Sequence, residues 1–140
     1  MKKPNEKQQM QEVFDRVAIH LLMQGKRSKD RNGTWCAYRG PDGTACAVGC
    51  LIDDKHYQKR FEGVAINNPV LGPLMMQSVE VSLGMSLGDK EKHLLFALQI
   101  VHDNEQTPAW GYHLSRVADS FNLEKDFLNF ALAYTKKVTE

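Results

Sequence analysis

The sequence predicts a mainly α-helical (α+β) protein: a compact bundle of about five helices carrying one short β-hairpin. Three observations lead there. Apolar residues recur at helical spacing in several separate stretches, capping and breaking residues flank those stretches, and one Gly-Pro-Asp-Gly turn lies between short apolar arms. A chain of 140 residues with 42% hydrophobic and 25% charged residues has the size and balance of one soluble globular domain. We expect 1–140 to form a single domain, with 1–5 and 138–140 disordered. Repeats and low-complexity linkers are lacking.

The elements follow in order. From Glu6 to Gln24, Met10, Val13, Phe14, Val17, Ala18, Leu21 and Leu22 make one apolar face, and Gly25 is the natural stop. A polar connector, GKRSKDRNG, brings Lys26, Arg27, Lys29 and Arg31. Cys36–Arg39 and Thr44–Cys46 then flank Gly40-Pro41-Asp42-Gly43, which reads as a hairpin placing Cys36 opposite Ala47, beside Cys46. The small, apolar run Ala47–Ile52 reads as a buried helical turn, with Cys46 and Cys50 on one face. Lys55–Phe61 suggests a short amphipathic helix, and Asn67-Asn68-Pro69 a turn. Val70–Leu83 is helical in period, interrupted early by Gly72-Pro73. Asp89 reads as a cap for Lys90–His102. Thr107-Pro108 begins a helix to about Phe121. Leu123–Lys137 is the last helix, with Phe127, Phe130, Ala131 and Tyr134 facing inward.

Charge and composition exclude some functions. Eighteen basic and seventeen acidic residues leave a net charge of +1, far from the basic face that a nucleic-acid backbone requires. No run approaches the ~20 apolar residues of a membrane span, and the first residues lack the apolar core of a secretory signal. An odd number of cysteines, three, does not make a complete disulfide set. We therefore expect a cytoplasmic protein with reduced thiols. A homo-oligomer is compatible with these features.

All three cysteines fall within WCAYRGPDGTACAVGCLIDD, residues 35–54. Three readings are open for them. In the leading one they are packing groups, because free cysteine behaves as a small hydrophobe where backbones approach closely. In the second, zinc is held by Cys36, Cys46, Cys50 and His56, although C-x9-C-x3-C lacks the tight paired knuckles of structural zinc sites. In the third, Cys46 is a nucleophile at a helix start, with His20 or His102 as base and Asp103 as orienting carboxylate. No complete catalytic constellation is visible, so the balance is against an enzyme and no cofactor is expected.

Other residues have quieter readings. His20 lies on the apolar side of the first helix and reads as a satisfied boundary histidine. His102 reads as a cap at a helix C-terminus. Arg39 lies near Trp35, Tyr38 and Arg27 in the chain, a combination suited to an anionic ligand with a stacking ring, such as a signalling nucleotide. The plainer role for Arg39 is pairing with Asp42, Asp53 or Asp54. Trp110 reads as a core anchor.

The segments FDRVAIHLLMQ, CAYRGPDGTACAVGCLIDDKHY, FEGVAI and LQIVHDNEQTPAW resemble a family of small bacterial and bacteriophage proteins with no assigned activity. The likeness runs from about Phe14 to Ala118. His20, Cys36, Tyr38, Arg39, Gly43, Cys46, Gly49, Cys50, Asp53, Tyr57, Glu62, Gly63, His102, Asp103 and Trp110 fall on its characteristic positions. Where that pattern often has Pro-Asp-Glu, this chain has Asp53-Asp54-Lys55. The resemblance implies a phage or prophage accessory protein in a host cytoplasm. Its expected mode is binding, of a host protein or an anionic small molecule, to blunt a host response.

Overall fold

The computed structural model describes residues 5–139, with the side chains of the last two of these left aside. Among them are five α-helices: α1 (Glu6–Gln24), α2 (Leu71–Leu83), α3 (Asp89–Asn104), α4 (Trp110–Ser120) and α5 (Asp126–Thr139). The expectation of disorder at 1–4 and 140 lies outside the described residues. Asn5 is placed: its side chain accepts from the Gln8 N–H while Gln8 Oε1 accepts from the Asn5 N–H, a reciprocal cap that starts α1. At the other end Gly25 turns left-handed, with φ 69°, and its N–H caps the Leu21 carbonyl.

The central helix is α1, which packs against α3, α5 and α4. Its Val13, Phe14, Val17, Ala18 and Leu21 are fully buried, against an interior that includes Leu94, Leu95 and Leu98 of α3, Trp110 and Leu114 of α4, and Leu128 of α5. The apolar stripe read in α1 is thus the seam of the bundle. Burying one such Leu or Phe side chain contributes roughly 1.5–3 kcal/mol.

Several expected boundaries move for local reasons. The hairpin is not formed as paired strands. A turn at Gly40–Gly43 leaves one antiparallel bridge, Arg39 to Ala45, while Cys36 bridges back to Lys29 rather than lying opposite Ala47. The helical turn expected at Ala47–Ile52 is present: the Cys50 N–H reaches the Cys46 carbonyl, and a 3-10 turn covers Gly49–Leu51. Lys55–Phe61 is not one helix but two 3-10 turns, Asp54–His56 and Lys59–Phe61, the second burying Phe61. Pro73 does not interrupt α2, because it stands in the first turn, where its missing N–H has no helical partner to lose. Asn68 Oδ1 accepts from the Val70 and Leu71 N–H groups at that start. Gly88, not Asp89, caps α3, and Glu91 Oε2 accepts its N–H. A 3-10 turn at Thr107–Ala109 precedes α4, and Gln106 rather than Thr107 stands at its N-cap, without a side-chain cap bond.

The largest correction concerns α5. Ala131 is buried as expected, but Phe127, Phe130 and Tyr134 are 56%, 67% and 51% exposed, and Leu128 is the residue buried beside Ala131. Both the aromatic and the aliphatic set repeat at helical spacing, about a quarter-turn or more apart around the axis. Only the neighbours choose which set turns inward.

Candidate functional site

A cleft of about 740 Å³ opens between the loop carrying Trp35–Tyr38, the segment Gly63–Ile66 and the outer face of α3. Its wall is mainly apolar, from Ala37, Val64, Ile66, Phe96 and Ile100, and its polar floor is Cys36, Gln99, Asp103 and Asn104. Trp35 stands on the rim, 71% exposed.

The chain closes this cleft with backbone bonds and one glutamate. The Asp30 N–H donates to the Trp35 carbonyl (2.8 Å), the Ala37 N–H donates to the Ser28 carbonyl (2.9 Å), and Asp30 Oδ1 accepts the Thr34 N–H (2.9 Å). That loop therefore fixes the Trp35 backbone and leaves the indole exposed. Glu62 accepts from the Tyr38 N–H (2.9 Å), the Arg39 N–H (3.1 Å) and the Tyr57 hydroxyl. The Tyr38 hydroxyl in turn donates to the Val64 carbonyl, tying the two loops together. Burial is the main reason its proton is held well above the ordinary phenol range.

The floor is a chain of hydrogen bonds anchored at both ends on backbone amides. The Ser28 N–H donates to His102 Nε2 (2.9 Å), so the neutral ring carries its proton on Nδ1 and donates it to Asp103 Oδ1 (2.7 Å). From the other side the Val48 N–H donates to Gln99 Oε1 (3.0 Å), and Gln99 Nε2 donates to the same Asp103 oxygen (3.0 Å). Asp103 is thereby a carboxylate fixed in orientation, with its side chain 35% exposed to the cleft. Burial first, then the Asp103 charge and a bond to it, raise the Cys36 thiol above its usual range. Cys36 beside Asp103 is a protonated thiol, not a ready nucleophile.

The residues singled out from the sequence do not all form one site. Cys46 is fully buried, burial pushes its thiol well above the ordinary range, and Sγ accepts the Gly49 N–H (3.3 Å). Burial also pushes the Cys50 thiol up, to about 12, and Sγ donates to the Ala47 carbonyl (3.1 Å). The zinc set of Cys36, Cys46, Cys50 and His56 is not brought together. Among the described residues the grouping with metal-ligand spacing is Cys36, His102 and Asp103, whose donor atoms lie within 4.8 Å of one another. Nor does His20 or His102 face Cys46 as a base: His20 Nε2 donates to the Ala45 carbonyl (2.8 Å), and both His102 nitrogens are taken up as above.

The four residues proposed for an anionic ligand part likewise. Trp35 and Tyr38 line the cleft. Arg39 borders a separate hollow with His20, Asp53 and Asp54, where it pairs with Asp54, donates to the Ile52 carbonyl and lies 4.7 Å above the Tyr57 ring. Arg27 donates to the His102 carbonyl (3.0 Å) and the Glu105 carbonyl. So Arg27, rather than the His102 ring, caps the end of α3. Trp110 is buried as expected, its Nε1–H donating to the Glu105 carbonyl (3.2 Å).

Sequence reasoning missed Gln99, Phe96, Ile100 and Ser28. A signal existed for the first: Gln99 and Asp103 are four apart on one helical face, with His102 between them.

His20 offers a direct test of its environment. Burial is the leading cause holding its pKa below the ordinary 6.5, ahead of the opposing bond to Ala45. A histidine that is harder to protonate when folded binds more protons unfolded, so its stability contribution is complete above pH 6.5 and is lost as the pH falls through the lowered folded value. Chemical denaturation of wild type and His20→Gln between about pH 7 and pH 5 is expected to show a shallower loss in the variant. Equal slopes would mean that His20 is not the group responsible.

Comparison of the chain with known protein families, with curated proteins and with solved structures returns no match.

Proposed function

We propose that this protein acts by binding, taking a small, flat, largely apolar molecule into the cleft beside Trp35 and anchoring it through a donor group on Asp103. The observation that carries the reading is the pairing of an exposed indole, on a hydrogen-bonded loop, with an immobilised carboxylate in one apolar cleft. Exposed aromatic surface of this size is costly to leave in water, and a ring stacked on it regains that burial. A carboxylate already satisfied by His102 and Gln99 needs no reorganisation to accept one more N–H. Arg27 and Arg39 are committed elsewhere, so the ligand charge favoured here is neutral or positive rather than the negative one suggested by the basic residues alone. Sequestration by a phage-type accessory protein is the biological setting we propose, in keeping with the resemblance of its motifs.

Calorimetry with three phenyl probes of one shape tests this: phenethylamine, 2-phenylethanol and 3-phenylpropionate, each added to chelator-treated protein. The amine is expected to bind best and the carboxylate worst. Trp35→Ala should weaken the amine by roughly 5–30-fold, from the ~1–2 kcal/mol of a lost stacking face. Asp103→Asn should remove the preference for the amine, weakening the amine much more than the alcohol. Tightest binding of the carboxylate, or no saturable heat with any probe, would sink the reading.

A further inference from the structure

We propose that Cys36 Sγ, His102 Nδ1 and Asp103 form a binding site for a divalent metal ion of zinc or cobalt type, with its fourth position open to the cleft. This goes beyond the ligand reading and does not depend on it.

Geometry and chemistry both support the site. Zinc holds sulfur, imidazole nitrogen and carboxylate oxygen at about 2.0–2.3 Å, which sets tetrahedral donor atoms about 3.3–3.7 Å apart. The three donors here already lie within 4.8 Å of one another, on two segments whose backbones are fixed. One thiolate and one carboxylate neutralise a doubly charged ion, the condition for placing it at a half-buried position. Gln99 Nε2, on Asp103, supplies the outer bond that orients a ligating carboxylate.

The histidine supplies the more specific clue. Without metal, Nε2 accepts the Ser28 N–H and Nδ1 carries the proton. A metal on Nδ1 displaces that proton, and the neutral ring then carries it on Nε2, where an acceptor is required. Ser28 Oγ is buried and has no hydrogen-bond partner, on the same residue whose N–H already meets this nitrogen. A small turn of Ser28 exchanges donor for acceptor. Binding then releases one proton, from the Cys36 thiol to solvent, and no electron changes hands.

Cobalt(II) titration of reduced, chelator-treated protein reads the site directly. The expected result is one cobalt per chain, with the near-ultraviolet charge-transfer band of a single thiolate and the visible bands of a tetrahedral centre, bleached by zinc. Cys36→Ser should abolish the charge-transfer band, while Cys50→Ser should keep it. Ser28→Ala should weaken cobalt binding about tenfold, the usual scale for an outer-shell partner, without lowering the stability of the metal-free protein. X-ray absorption of the zinc-loaded wild type, which needs no variant to fold, should show one sulfur among nitrogen and oxygen neighbours. Two or more sulfurs, a band that survives Cys36→Ser, or no band at saturating cobalt would overturn the proposal. Since the phenyl probes are tested on metal-free protein, either idea can fail alone.

Discussion

Gly49→Ala is expected to cost about 3–5 kcal/mol of stability, more than most single methyl additions. A Cβ at this position would lie 1.9 Å from the Tyr38 carbonyl oxygen and 2.7 Å from its carbonyl carbon. These are backbone atoms, so no side chain can swing aside. Relief requires moving either the 3-10 turn at Gly49–Leu51 or the strand-like segment at Tyr38. Both are pinned: the Gly49 N–H donates to Cys46 Sγ, and Glu62 grips the Tyr38 and Arg39 amides. Urea denaturation followed by circular dichroism gives the value. Because Tyr38 also holds Val64 across the cleft, a variant that stays folded should lose phenethylamine binding as well. A change below about 1 kcal/mol would show that the two segments are not in rigid contact.

His102→Ala is the second large effect, again about 3–5 kcal/mol. Two costs combine. The ring is fully buried and lies 5.6 Å from the Trp110 ring, centroid to centroid, so truncation opens a cavity beneath the floor of the cleft. The Ser28 N–H also loses its acceptor, and a buried unpaired amide costs roughly 1–3 kcal/mol by itself. His102→Leu separates the two, since it roughly keeps the volume and removes the hydrogen bonds. It is expected to fall near the lower figure and well short of the alanine variant. Should leucine prove as damaging as alanine, the polar chain through Asp103, not packing, holds this region together.

These two positions mark where local pattern ends. The helices were legible because each is decided over short distances: the stripe of α1, the Gly25 stop and the Pro108 turn all act within a few residues of themselves. The near-neutral charge likewise follows from counting alone. Capping was less legible, since Gly88 and Arg27 took roles that Asp89 and the His102 ring were expected to fill. The hairpin fared similarly. Its turn was readable, but strands need partners, and 28–30 offered Cys36 a better one than 44–47 did.

What the chain by itself determined is a set of amphipathic helices, a tight turn and a concentration of small residues after it. The folded arrangement decided the rest: which stripe of α5 is covered, and that Cys36 meets a histidine and an aspartate more than sixty positions away. The physical reason is range. A backbone hydrogen bond or a helical period reaches about one turn, whereas the direction in which a helix rolls is settled by the summed burial of every side chain packed against it.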